Sequence, residues 1–242
     1  MTPDFVVDVG NTRIKVGIVR ERRVAEVEYY GFNPHLWIFD QSAVERWCVS
    51  GVNPSPRDLF ALMVKRTRNE VTTIDDFRRL PIAPAVDFPE RVGIDRLLGA
   101  VAANRLRRPI AAAITVDAGT ATTINLVSAD GVFRGGFILP GLRLMAASLH
   151  SGTAQLPEID FDGPCNFPGR NTDDAIRGGI IASTCGAIRR AIREVKRTDA
   201  EVDLFITGGA SAHLMHDLAE FAPRFVPNLV LDGLLETAEA LP

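Results

Sequence analysis

Long apolar runs are missing from this 242-residue chain, and no stretch approaches the ~20 residues a membrane-spanning helix needs. The opening Met-Thr-Pro-Asp-Phe lacks the basic segment of a secretory signal. Cysteine is scarce: Cys48, Cys165 and Cys185 are scattered, odd in number and form no CxxC pair. That excludes a disulfide scaffold and a cysteine zinc site, and fits free thiols in a reducing cytoplasm. An excess of positive charge is also absent. With 27 Lys and Arg against 30 Asp and Glu, the net charge is −3, so neither a nucleic-acid nor a membrane-surface partner is expected. The phosphate loop GxxxxGK[ST], the GxGxxG fingerprint and the HExxH metal helix are not found. A calcium loop at Glu158–Gly163 fails because the position that needs a bidentate glutamate is Gly169.

What remains is a composition, 46% hydrophobic and 24% charged, that can bury the core of one or two domains. Patterning predicts strands over 4–9, 13–19, 23–29 and 45–52, and a helix from about Pro56 to Arg66. A proline-rich loop covers 80–92, and a helix from Ile94 to about Arg107 is stopped by Pro109. The second half repeats the scheme. A buried strand ends at Asp117, strands 120–128 and 132–138 are joined at Asp130-Gly131, and helices follow at 141–150 and 173–197. The long helix has Asn171 or Thr172 as N-cap and two aspartates in its first turn. Strand 202–207, a helix from about Ala210, strand 228–231 and a last helix complete the reading. Arg189, Arg193 and Arg197, at four-residue spacing, read as a solvated helix face.

One internal echo stands out. Val7-Asp8-Val9-Gly10-Asn11-Thr12 resembles Val116-Asp117-Ala118-Gly119-Thr120-Ala121, each after an apolar strand and before another. A glycine turn lets backbone N–H groups approach an anion, and Thr and Lys15 add donors. A carboxylate beside such a turn repels bare phosphate but suits a hard cation that binds carboxylate and phosphate oxygens together. Either turn alone reads as an ordinary strand end; two at matching positions point to Mg-nucleotide phosphates. Thr207-Gly208-Gly209-Ala210 is a third glycine turn, either an adenosine contact or a plain strand-to-helix connection.

Taken in order, Asp8-x-Gly-Asn-Thr, Ser50-x-Val-Asn-Pro, Gly93-Ile94-Asp95-Arg96, Val116-Asp117-x-Gly-Thr-Ala, Gly135-Gly-Phe-Ile-Leu-Pro-Gly141, Thr153-x-x-Leu-Pro157, Gly169-x-Asn-Thr172, Thr207-Gly-Gly and Leu229-Val-Leu-x-Gly-Leu resemble the type III pantothenate kinases. These belong to the actin/sugar-kinase/heat-shock ATPase superfamily, and the likeness covers nearly the whole chain. It implies an α/β fold of two ribonuclease-H-like halves, mixed sheets flanked by helices, about a central cleft that takes ATP. The halves are expected at 1–108 and 109–242. It also implies a homodimeric, cytoplasmic enzyme that phosphorylates pantothenate with ATP, Mg²⁺ and a monovalent cation, K⁺ or NH₄⁺.

Residue by residue, the resemblance implies an ATP-binding segment of Asp8, Val9, Gly10, Asn11, Thr12, Arg13, Ile14 and Lys15, with Thr120 from the second half. Asp8 is expected near Mg²⁺ and Asp117 on the monovalent cation. Asp95 matches the proton acceptor; Gly93, Ile94, Arg96 and Thr172 match pantothenate contacts. Seven residues before Gly93, where many members carry tyrosine, this chain has Val86, with Phe88 nearby. Rival readings are another small-molecule kinase, against which the GxDR element argues, and a transcription accessory factor. Intact Asp8, Asp95, Asp117 and Thr120 argue against the latter.

Overall fold

The computed structural model describes residues 1–37, 44–163, 165–198 and 201–241. The chain divides into two compact units: Met1–Leu106, Gly131–Phe133 and Asn228–Pro242 form unit 1, and Arg107–Asp130 and Arg134–Pro227 form unit 2. In chain order the first elements are β1 (Phe5–Val9), β2 (Ile14–Arg20), β3 (Arg23–Tyr30), β4 (Arg46–Gly51), α1 (Pro54–Lys65), β5 (Glu70–Ile74), β6 (Ala83–Pro84) and α2 (Ile94–Leu106). Next come β7 (Ala112–Ala118), β8 (Ala121–Val127), β9 (Val132–Pro140), α3 (Leu142–Gly152), α4 (Thr172–Val195), β10 (Val202–Thr207), α5 (Ala212–Met215) and β11 (Arg224–Phe225). The final helix, α6 (Leu229–Ala240), belongs to unit 1.

In unit 1 the sheet order is β3-β2-β1-β4-β5. β1, β2 and β3 run antiparallel to their neighbours, while β4 and β5 are added in parallel. β1 is covered on both faces, which is why its sequence is a continuous apolar run rather than an alternation. Val7 and Val9 face a cluster with Phe60 and Val64 of α1, in which Phe5 stacks on Trp47 at 4.1 Å. On the opposite face α6 and α2 pack against each other so closely that a Cβ on Gly233 would lie 1.9 Å from the Leu98 carbonyl oxygen. The buried Gly99, Ala100, Ala102 and Ala103 of α2 have the small side chains such an approach requires.

Unit 2 carries the same order, β11-β10-β7-β8-β9, with β7 and β8 antiparallel and β10 and β11 added in parallel. The echo in the sequence is therefore a repeat of topology, β1 corresponding to β7 and β4 to β10. Ile114, Val116 and Ile124 pack with Ile180, Cys185 and Ile188 of α4. Asn171, not Thr172, is the N-cap of α4, its side chain accepting from Asp174 N at 2.8 Å.

The passage between units at 106/107 lies two residues from the expected 108/109. The last helix, expected with the second half, returns to the first. The strand expected over 228–231 is instead the start of α6, and the strand of that region is the short β11. A brief apolar run does not by itself tell a buried strand from a helix closed in on several sides, and here Leu229, Val230, Leu231, Leu234 and Leu235 are all buried.

Two substitutions test the packing. Gly233→Ala should destabilise unit 1 by about 1–3 kcal/mol, since overpacking outweighs the helix propensity gained. Gly186→Ala on α4, where an added Cβ meets nothing within 4 Å, should stabilise by about 0.5–1 kcal/mol. Chemical denaturation midpoints decide both, and equal shifts of one sign would refute the assignment. On α6, burial pushes the Asp232 carboxyl up to about 6, with Arg105 acting in the opposite direction. Because the folded pKa exceeds the unfolded ~3.9, the native state binds the proton more tightly, and stability falls as pH rises through that window. Asp232→Asn should raise stability at pH 7 and leave it unchanged near pH 3, as read from urea midpoints.

Candidate active site

In unit 1, register places the side chains of Asp8, Lys15 and Tyr29 in one row across β1, β2 and β3, since directly paired residues share a face. Asp8 is buried, with Lys15 Nζ 3.9 Å from its Oδ2. Past the strand the chain turns tightly, Gly10 N donating to the Arg13 carbonyl at 3.1 Å. On the neighbouring strand, Ser50 pairs with Asp8 and Gly51 with Val9. Gly51 has φ of 149°, and a Cβ there would lie 2.3 Å from Val9 O, so only glycine fits.

Unit 2 repeats the device. Thr207 pairs with Asp117, and the next residue, Gly208, has φ of 94°. A Cβ on Gly208 would lie 2.6 Å from both Asp117 Oδ1 and the Ala118 carbonyl. Gly119 N donates to Ala121 O and Gly141 N to Thr120 O, at 3.1 and 3.0 Å. Gly141 also admits no Cβ, which would lie 2.3 Å from Gly119 O. The GGxIxPG stretch thus closes on the second Asp-x-Gly turn. The sequence gives neither Gly51 nor Gly141 a role; the available signal is position, Gly51 closing β4 and Gly141 directly following β9.

Asp95 lies in the first turn of α2, where the helix dipole favours a negative charge. Its Oδ1 accepts from Arg96 N at 2.8 Å. Burial nonetheless dominates and raises its pKa; the Arg96 amide and charge, and the more weakly felt Lys15, oppose that rise. A Cβ on Gly93 would lie 2.6 Å from Asp95 Oδ1, so Gly93 keeps space for the carboxylate. The Arg96 guanidinium is half-buried, 5.8 Å from the Phe133 ring centroid. Unit 1 therefore brings Asp8, Lys15, Asp95 and Arg96 into electrostatic relation. Val86 is half-buried, whereas Phe88 is exposed and carries the Arg91 guanidinium at 4.6 Å.

Thr172 opens α4 and lines an open groove of about 920 Å³ in unit 2, together with Asn171, Arg170, Met145, Leu149 and Ile180. The loop before α4 is held by the buried Arg177, which donates to Asp160 O and to Asp174 Oδ1.

The donors gathered at both turns are carboxylate, hydroxyl and carbonyl oxygens, the set that suits hard cations rather than soft ones. Asp8 fits a Mg²⁺ ion bound with phosphates. Asp117 Oδ1 and the Ala118 carbonyl, brought together at the Cβ-free site of Gly208, fit a monovalent cation. Among the described residues no helix is long and apolar enough to cross a membrane.

The family model described as type III pantothenate kinase matches residues 5–194. A type III pantothenate kinase from Alkalilimnicola ehrlichii is 41% identical over 244 residues, covering 97% of each chain. One from Rhodopirellula baltica is 47% identical over 157 residues, 62% of this chain and 56% of that protein. Among solved structures, a protein assigned to the Baf family of transcriptional activators from Campylobacter jejuni superposes with a TM-score of 0.68 at 18% identity, covering 97% of each chain. Component A of the Acidaminococcus fermentans (R)-2-hydroxyglutaryl-CoA dehydratase gives 0.51 at 13% identity, covering 98% of this chain and 96% of that one. At such identities the structural likeness speaks for the fold alone.

The electrostatics around Asp95 make an ordered prediction. Arg96→Leu should raise the Asp95 pKa further, and Lys15→Met should raise it by less, in carboxyl-carbon NMR titrations. A downward shift in either variant would contradict the arrangement.

Proposed function

The chain belongs to the type III pantothenate kinase family, and from that premise we propose how its own residues carry the reaction. The γ-phosphoryl group of ATP is transferred to the primary hydroxyl of pantothenate, giving 4′-phosphopantothenate and ADP, the first step of coenzyme A biosynthesis. The single observation that carries the assignment of roles is Asp95: a carboxylate kept in a burying environment at a helix start, with two cations beside it. Burial makes it a better base than an exposed aspartate.

Asp95 orients the substrate hydroxyl and takes its proton as the oxygen forms its bond to phosphorus and the bond to ADP breaks. Arg96 binds pantothenate as a fixed cation, and Gly93 and Ile94 shape the backbone around it. Thr172 contributes a hydroxyl contact to the same substrate. Residues Asp8 to Lys15 hold the triphosphate, with backbone N–H groups and the Lys15 ammonium facing its charge, and Thr120 is an ATP contact by its match to the family motif. Asp8 would hold Mg²⁺ and Asp117 would hold K⁺ or NH₄⁺, and such ions would supply neutralisation of phosphate charge.

We also propose a homodimer working in the cytoplasm. The resemblance supports the former, together with the exposed Ile138 and Leu144 of unit 2. Cys48 and Cys185, buried thiols both raised to about 12, suit a reducing compartment.

A coupled assay of ADP release tests the reading. Pantothenate should support turnover where sugars do not, and omitting K⁺ and NH₄⁺ should depress it. Asp95→Asn should fold normally and lose on the order of 10²–10⁴-fold in kcat. Gly93→Ala, which displaces the carboxylate without touching the core, should also lower kcat. Near-normal turnover by Asp95→Asn would remove Asp95 from the mechanism.

A further inference from the structure

The row Asp8–Lys15–Tyr29 has a member that the catalytic reading leaves without a task. Tyr29 is 56% exposed on β3, the edge strand of the unit 1 sheet, paired directly with Lys15. A large ring in that position buries little surface and adds little to the core. The ring lies against a charge: the guanidinium carbon of Arg13 is 4.6 Å from the ring centroid. Arg13 ends the Gly10–Arg13 turn and takes part in no ion pair among the described residues. It precedes Lys15 by two residues, so the extended chain directs both side chains to the face that carries Asp8.

We propose that Tyr29 is a positioning residue for nucleotide binding, holding Arg13 so that its guanidinium meets the polyphosphate of ATP. The inference rests on the assignment of Asp8 to Lys15 as the triphosphate segment. A guanidinium lying flat on an aromatic ring keeps its N–H donors free at its edge, where they match phosphate oxygens in pairs. An arginine without such a support is distributed among many rotamers and must be ordered at each binding event. Tyrosine serves because the ring face supplies the attraction; the hydroxyl is not needed. The outcome is two cations of different kind above Asp8: Lys15 as a point charge held near the carboxylate, and Arg13 as a fork held from the edge strand.

The test is a double-mutant cycle on the full-length protein, with Tyr29→Leu, Tyr29→Phe, Arg13→Ala and the Tyr29→Leu/Arg13→Ala pair. Steady-state kinetics and calorimetric titration with a non-hydrolysable ATP analogue and Mg²⁺ give two readouts. Tyr29→Leu should raise KM for ATP and Kd for the analogue about two- to five-fold, the range of an exposed cation–π contact. KM for pantothenate and kcat should stay level. Tyr29→Phe should retain wild-type nucleotide affinity, and Tyr29→Leu should add nothing once Arg13 is alanine. Unchanged affinity in Tyr29→Leu, an equal loss in Tyr29→Phe, or an undiminished effect in the Arg13→Ala background would overturn the proposal while leaving the kinase assignment intact. Failure of the wild-type protein to bind the analogue would overturn both.

Discussion

The absence of a side chain at two positions governs the arrangement of the two strand-tip carboxylates. At Gly51 and Gly208 the end of one strand passes so near the residue following an aspartate that any Cβ would overlap the backbone. That closeness keeps the tips of β1 and β4, and of β7 and β10, in register to their last residue. Both also have φ in the left-handed region, which L side chains adopt only with strain. Each constraint fixes where a carboxylate stands, Asp8 in one unit and Asp117 in the other. The two tips are built alike but finished differently. Asp8 has a lysine at 3.9 Å, whereas Asp117 has backbone carbonyls and a glycine turn around it. The same scaffold thus offers one place where a protein cation already tempers the charge and another where carbonyl oxygens lie beside the carboxylate.

Asp95 illustrates the cost of function. Its raised pKa means that the ionised form is less comfortable in the fold than in water, despite the helix dipole, the Arg96 amide and two cations nearby. A chain shaped for stability alone would place asparagine or serine at that helix start. Retaining aspartate there is understandable if the group must exchange a proton with a hydroxyl. Gly93 belongs to the same compromise, since a larger residue would compete for the space of the carboxylate oxygen.

Much of this was legible in the sequence because the determining interactions are local. β1 and β7 announce themselves as apolar runs, since both of their faces are covered; the Asp-x-Gly turns follow at once; and Asn171-Thr-Asp-Asp marks the start of α4. The repeat of six residues foretold a repeat of topology that β3-β2-β1-β4-β5 and β9-β8-β7-β10-β11 bear out strand for strand. What escaped was whatever depends on a distant partner. Nothing within Leu229–Leu235 says that its companion is α2, some 130 positions earlier, so the short apolar run reads equally as a strand. Gly51 looks like any turn glycine until β4 is known to lie beside β1. The contact of Arg13 with Tyr29 likewise depends on the pairing of β2 with β3, which the sequence marks only as two strands.

The return of α6 to the first unit has a consequence for biogenesis. Unit 2 comes from one region of the chain, Arg107–Pro227 interrupted only at Gly131–Phe133. Unit 1, although its larger part is translated first, lacks the helix that covers α2 until Asn228–Pro242 emerge. Until α6 is made, the flank of α2 that it packs against lacks that cover. A chain cut short before Asn228 would keep the residues of its second unit but lack the helix that completes its first.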